Sequence, residues 1–378
     1  MVISKILKSN MRVLVTGSNG FIGKNLCARL SEIEEFSVLF FDRNVSSSLL
    51  EDLIDKSDAI IHLAGENRPR DDSEFDNINV GLTKTISRAL VLLDKKIPVF
   101  FASSTQAELN NPYGKSKYAA EVELQQLSSE NNNPVVVFRL PGVFGKWCKP
   151  NYNSVVATFC HNIVNNLEIK VNNPSSVLKL IYIDDLVNEI IYSLKNIIIG
   201  FTRRPVGPEY SITLGELANK IGRFKHSRSS LMTEKVGDGL TRALYATYVS
   251  YFSSEIFSYS LPENIDSRGK FVEVLKTPDS GQFSFFTALP GITRGSHYHH
   301  TKTEKFLVIK GTARFKFRNI MTNEYHEILT SDSESIVVET VPGWVHDITN
   351  VGDCDMIVML WANEIFNPSH PDTISCEV

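Results

Sequence analysis

A chain of 378 residues is long enough for two domains at roughly 100–200 residues each. Its 42% hydrophobic and 22% charged residues are those of an ordinary soluble globular protein. The net charge of −4 is small and gives no reason to expect nucleic acid or an anionic membrane as a partner.

No apolar run is long enough to span a bilayer, and residues 1–10 (MVISKILKSN) read as a short leader without secretory-signal features. A cytoplasmic location is therefore expected. The five cysteines, Cys27, Cys148, Cys160, Cys354 and Cys376, are odd in number and form no CxxC pair. A disulfide scaffold or a cysteine zinc knuckle is not expected, and buried unreactive thiols are.

Residues 12–16 (RVLVT) form a continuous apolar run, as a strand buried on both faces of a parallel sheet requires. A glycine-bearing turn and a helix through residues 26–30 follow. Further strands are expected at 37–41, 59–63, 99–102 and 135–138. Strand–helix alternation of this kind predicts a doubly wound, Rossmann-like α/β domain over residues 11–250. After Tyr251 the pattern changes. Short strands are expected at 281–287, 304–309, 313–317 and 356–361, punctuated by Gly and Pro, with no sustained helical period. That predicts an all-β barrel or jelly roll over residues 255–378, with the linker within 251–263.

The first chemical signal is Gly17-Ser18-Asn19-Gly20-Phe21-Ile22-Gly23, a GxxGxxG turn between a buried strand and a helix. Gly17 permits the tight turn, Gly20 lets backbone approach a pyrophosphate, and Gly23 permits close helix–strand packing. Asn19, Phe21 and Ile22 lie in the same turn. Asp42, at the end of the second strand, suits the ribose hydroxyls of NAD. Arg43 suits the 2′-phosphate of NADP, so local chemistry leaves the choice open. Leu63 and Ala64 follow the next strand and are expected beside the cofactor, whereas His62 reads as a packed strand histidine.

Tyr113 and Lys117 are four residues apart, on one face of a helix. A tyrosine near its ordinary pKa of ~10 is a poor acid–base group at neutral pH. A neighbouring ammonium stabilises its phenolate. Ser104, or Ser103 in its place, ends the preceding strand and can bond a substrate carbonyl oxygen.

Together, GSNGFIG, HLAG, ASS, YGKSK, RLPGVFG (139–145) and YIDD (182–185) resemble the extended short-chain dehydrogenase/reductase family, which acts mostly on nucleotide-linked sugars. The resemblance implies catalytic roles for Ser104, Tyr113 and Lys117, with Lys117 also on the nicotinamide ribose. It implies substrate contacts for Arg139 and for Asn153 in segment 150–154. Tyr113 lies only nine positions after Ser104, fewer than is usual there. A shortened loop of this kind opens the sugar pocket.

Downstream, Gly291 leads through His297, His299 and Glu304 to Gly311, and Gly343 through His346 to Asn350. These two blocks resemble the paired motifs of the cupin superfamily. His297 and His299 alternate along a strand and face the same way. With Glu304 on the next strand and His346 on a facing hairpin, they form a three-histidine, one-carboxylate shell. Such a shell suits a divalent metal, with zinc the expected ion. Pro342 directly before Gly343, and the missing glycine at the start of that block, depart from the pattern. A second resemblance, carried by DSRGKFVE (266–273) and RGSH (294–297), is to metal-free cupin epimerases of 4-keto-6-deoxysugars. There the histidine after Arg-Gly is a base, and Arg294 would bind substrate. His297 is thus read as ligand or as base, not both.

The combination, with residues 145–155 and 299–308, resembles a family of bifunctional capsule and O-antigen enzymes. That resemblance implies C-3 epimerisation of a UDP-linked 4-keto amino sugar by the cupin, followed by NADPH-dependent reduction of the 4-ketone. It also implies a homodimer, with an upstream dehydratase and a downstream 2-epimerase on the same route. The alternative is a single-activity reductase or dehydratase whose cupin only binds or dimerises.

Overall fold

The computed structural model describes residues 10–378, apart from positions 44, 47, 48, 68, 70 and 72. Most of the short leader expected at 1–10 thus lies outside the described residues. The chain divides into two compact units, one of Met1–Ile221 with Arg242–Tyr251, the other of Gly222–Thr241 with Phe252–Val378.

In the first unit the expected strands form one parallel sheet. Its order is Phe36–Phe41, Met11–Thr16, Ala59–His62, Val99–Ser104, Val135–Leu140, Phe201–Arg203. The inner strands are almost wholly apolar and buried because helices cover both faces. The order reverses between Met11–Thr16 and Ala59–His62, and ligands of doubly wound sheets bind beyond the strand ends at such a switch point. Only Phe36–Phe41 lies on the far side of Met11–Thr16, so the five leading strands run in the flavodoxin-like order. A smaller sheet of Gly142–Phe144, Val177–Tyr182 and Glu209–Thr213 stands beside the main one in sequence.

The second unit holds two antiparallel sheets of six and five strands. Phe286, Phe306, Phe315, Ile348 and Leu360 form part of its buried core. Alternating burial along Gly281–Ala288, Thr312–Asn319 and Met356–Ala362 puts one apolar face inward on each strand. This is the cupin jelly roll. A single cut near residue 250 does not capture one segment. Leu231 and Thr233 pair by backbone with Lys276, and Arg228 lies over the rings of Phe252 and Tyr259, so Gly222–Thr241 packs with the β-unit.

Among the described residues, no helix is long and apolar enough to cross a membrane. The five cysteines are free thiols, Cys148 and Cys160 being buried and Cys354 exposed. Burial pushes the Cys27 and Cys148 thiols up to about 11, so both are protonated and unreactive at neutral pH.

Candidate active site and metal centre

The glycine turn sits at the switch point. Gly20 precedes the helix Phe21–Ser31, whose first turn therefore starts at Phe21 and Ile22. A Cβ on Gly23 would lie 2.2 Å from the Gly17 carbonyl oxygen, so only glycine allows this approach of helix to turn. Leu63 and Ala64 border the same turn. The Leu63 N–H donates to Thr16 O (3.2 Å) and the Ala64 N–H to Thr16 Oγ1 (3.3 Å). Asn19 donates its side-chain amide to Asp42, fixing the acid at the strand end. Arg43 extends into solvent and donates to Glu66 Oε2 at 2.5 Å. Glu66, which sequence reasoning missed, is buried and also accepts from the Tyr152 hydroxyl at 3.1 Å.

His62 is a packed strand residue. Its Nδ1 meets Thr16 Oγ1 at 2.7 Å and its Nε2 meets Thr83 Oγ1 at 3.0 Å. Burial, and then the charge of Lys117, push it down to about 3, so it stays neutral.

Tyr113 and Lys117 occupy the helix Pro112–Asn131, with Asn111 as its cap (Oδ1 to Gly114 N, 2.7 Å) and Pro112 in its first turn. The short link from Ser104 is folded as the 3₁₀ turn Thr105–Glu108. It passes so close to the helix that a Cβ on Gly114 would lie 2.1 Å from Gln106 O. The Ser104 hydroxyl lies close enough to Tyr113 to pull its pKa down, whereas Ser103 Oγ donates to Glu121 Oε1 at 2.6 Å. Ser104 is therefore the serine at the tyrosine. Lys117 is buried, its Nζ donating to Ala102 O at 2.9 Å and lying 4.9 Å from the Phe101 ring centroid. Burial lowers its pKa to about 8, against the charge of Glu121. Burial raises the Tyr113 phenol, and only the Ser104 hydrogen bond pulls it down. The lowering expected from Lys117 is not what this geometry displays. Instead the phenol is held protonated, the form a proton donor needs.

Arg139, expected at the substrate, has its guanidinium committed elsewhere. It binds Glu121 at 2.7 Å and Glu108 at 2.6 Å. Arg203 reaches the same Glu121 carboxylate at 3.1 Å. The Glu121 side chain is 0% exposed, and this buried acid ties the helix Pro112–Asn131 to the strand ends. Its position four residues after Lys117, on the same helical face, was the available sequence signal. Asn153 lines a cleft of about 600 Å³ with Asn151, Tyr152, Thr158 and Lys170.

In the second unit, His297 and His346 are register partners on neighbouring strands Thr293–Tyr298 and Trp344–Asn350. His346 is thus on a strand adjacent to that of His297 rather than on a facing hairpin, while Glu304 opens the next strand in sequence, as expected, in the other sheet. A bulge at Ser296 (φ 60°) precedes His297. One ligand atom from each of His297, His299, Glu304 and His346 lies within 4.8 Å of the others. Glu304 Oε2 is 3.2 Å from His299 Nε2 and 3.4 Å from His346 Nε2.

The chemistry of this donor set tests its fit to a metal. His297 Nε2 and His346 Nε2 are buried with no hydrogen-bond partner. His299 Nδ1 faces the carbonyl oxygen of Asp372, which only accepts, so Nδ1 carries the proton. The Nε2 lone pair then points at a carboxylate oxygen, and the two repel unless a proton or cation lies between them. Burial lowers His297 to about 4, leaving it a neutral donor. Burial alone would raise Glu304, but the imidazoles of His299 and His346, at 3.2 and 3.4 Å, and the charge of Lys302 lower it. Three imidazoles and one carboxylate fit a divalent transition metal. Nearby, Arg294 donates Nε–H to Thr287 O (3.0 Å), stacks 5.2 Å from the Phe286 centroid, and has Nη2 buried without a hydrogen bond, 4.0 Å from Asp266 Oδ1.

A dinucleotide-fold unit with a Ser–Tyr–Lys cluster, followed by a cupin with a four-ligand cluster, defines the class: extended short-chain dehydrogenases/reductases fused to a cupin. Residues 13–200 match the NAD dependent epimerase/dehydratase family and residues 264–374 the Polysaccharide biosynthesis C-terminal domain. A UDP-2-acetamido-2,6-beta-L-arabino-hexul-4-ose reductase from Pseudomonas aeruginosa is 54% identical over 368 residues, 97% of this chain and 99% of that one. The crystal structure of capsular polysaccharide assembling protein CapF from Staphylococcus aureus matches with TM-score 0.90 and 42% identity, over 97% of this chain and 100% of that one. A UDP-glucuronic acid 4-epimerase from Bacillus cereus, at 17% identity and TM-score 0.55 over 64% of this chain, shares the fold of the first unit. The chain belongs to the CapF-like reductase family.

Proposed function

We propose that the chain is a bifunctional UDP-sugar enzyme. Its cupin epimerises carbon 3 of a UDP-2-acetamido-2,6-dideoxy-4-ketohexose. Its reductase then converts the 4-ketone to UDP-2-acetamido-2,6-dideoxy-L-talose with NADPH, on the route to UDP-N-acetyl-L-fucosamine for a surface polysaccharide. The observation that carries the reductase reading is the Ser104–Tyr113–Lys117 cluster beside the glycine turn, in a chain 54% identical to a UDP-sugar 4-ketone reductase.

When bound, the nicotinamide cofactor supplies hydride. Ser104 orients the ketone oxygen, and Tyr113, held protonated by burial, delivers the proton to the nascent alkoxide. Lys117 is anchored by Ala102 O with its ammonium facing the site. Arg43, paired with Glu66 and reaching into solvent, would hold the 2′-phosphate of NADPH. Asn153 and its cleft take the nucleotide diphosphate. In the cupin, His297, His299, Glu304 and His346 would hold the metal, with zinc the expected ion. When bound, it supplies Lewis acidity that acidifies the carbon beside the ketone. Arg294, whose buried Nη2 makes no hydrogen bond, binds the substrate. Epimerisation precedes reduction because only the ketone makes the neighbouring proton acidic. The reading includes a cytoplasmic homodimer working between a dehydratase and a 2-epimerase.

The test is incubation with the UDP-4-keto sugar in deuterated water, with and without NADPH. Wild type should incorporate deuterium beside the ketone without NADPH and consume NADPH when it is added. Tyr113→Phe should stop NADPH consumption and leave exchange intact; normal reduction by this variant would refute the reductase reading. His297→Ala should stop exchange. Unchanged exchange would make the chain a single-activity reductase with a non-catalytic cupin.

A further inference from the structure

The ligand-bearing stretch His297–Glu304 is followed along its length by a segment some 70 residues away in sequence. The carboxylate of Asp372 accepts from three consecutive backbone N–H groups, His300 (2.8 Å), Thr301 (2.7 Å) and Lys302 (2.9 Å), and from the Thr301 hydroxyl (3.0 Å). The carbonyl of the same residue accepts from His299 Nδ1. Immediately beyond, Ile374 and Ser375 pair in antiparallel register with Tyr298 and His297. The Cys376 N–H then donates to Ser296 O at 3.0 Å, on the bulge itself. One short segment thus touches the bulge before the first ligand, the backbone of that ligand, the ring of the second, and the loop leading to the third.

We infer that residues 372–376 are a clamp that sets the geometry of the metal centre, with Asp372 as its positioning residue. The carboxylate and carbonyl of Asp372 act together. By gathering three N–H groups of the His300–Lys302 turn, the carboxylate fixes where its own carbonyl stands relative to the His299 ring. The carbonyl then fixes the tautomer, leaving Nε2 unprotonated toward Glu304 and the other ligands. A carbonyl able to drift would let His299 take the other tautomer, with a proton on the ligating nitrogen. This inference rests on the metal reading of the four-residue cluster.

The test uses the full chain and two metals. Zn(II) affinity is measured by competition with a chromophoric chelator. Co(II) is added as a spectroscopic probe of ligand geometry. Loss of an outer partner of a metal-bound histidine is expected to weaken affinity about 10–100-fold. Asp372→Ala should show that loss together with an altered Co(II) visible band. Asp372→Asn, which keeps one carbonyl acceptor, should recover part of both. Thr301→Val removes only one of the carboxylate's bonds and should weaken binding a few-fold at most, guarding against a general folding defect. Wild-type affinity and an unchanged Co(II) band in Asp372→Ala would overturn the clamp. Failure of the wild-type chain to bind either metal would overturn the metal reading first, and the clamp with it.

Discussion

The two clusters differ in how completely their polar atoms are satisfied. In the reductase unit the buried lysine and the buried acid have protein partners: Lys117 with Ala102 O, Ser103 and two arginines with Glu121. In the cupin, buried nitrogens of His297 and His346 have no hydrogen-bond partner, and a lone pair of His299 faces a carboxylate. The lesson is that proton chemistry is built from groups that already hold their protons in place. A metal centre is built from lone pairs that converge and repel. The first site is complete without help. On the metal reading, the second gains its missing partner only when a cation joins it.

That contrast predicts where each unit is fragile. The largest stability effect in the reductase unit should come from Arg139→Leu, which strips the buried Glu121 of its main counter-charge. Breaking a buried pair from one side costs about 3 kcal/mol or more. Calorimetry of the full chain should show the first unit melting earlier, and an unchanged melt would mean that Glu121 is not held by Arg139. In the cupin the corresponding lever is the metal. At free Zn(II) about 100 times its Kd, binding should add ~2.7 kcal/mol, raising the melting temperature of the second unit on the order of 10 °C over the chelated protein. The first unit should not respond, and an equal response in both would erase the distinction drawn above.

Smaller effects probe the reductase alone. Arg43→Ser should raise KM for NADPH about tenfold, or ~1.4 kcal/mol, and leave NADH unaffected, because only the 2′-phosphate needs the guanidinium. Equal losses with both cofactors would assign Arg43 to structure. Smallest near neutrality is the pH effect. Lys117 is charged below about 8 and loses its proton above it. The rate of reduction should therefore hold at lower pH, halve near 8 and fall about tenfold per unit beyond. A rate that rises through this range would mean the neutral amine is the active form.

Much of this was legible in the sequence. The strands 12–16, 59–63 and 99–102 announce themselves because burial on both faces leaves them almost wholly apolar. The tyrosine–lysine spacing and the two histidine blocks are local patterns, and local patterns survive in one dimension. Arg139 shows what does not. An arginine at a strand end looks the same whether it meets a substrate or a buried carboxylate, and its partner Glu121 lies 18 positions away. The register of the His346 strand was equally hidden, since a facing hairpin and an adjacent strand give the same histidine spacing. Asp372 gave no local signal at all, because its partners lie 70 or more residues upstream.

The bulge before His297 has a consequence in parity. Two residues from Gly295 to His297 match a single step from Asp347 to His346 on the neighbouring strand. Side chains alternate faces, so the count of residues decides which way each one points. Were the strand paired one to one with Ser296 kept, His297 and His299 would turn to the outside of the barrel. Removing Ser296 as well would restore the match of Gly295 with Asp347 and of His297 with His346, and keep both rings on their present face.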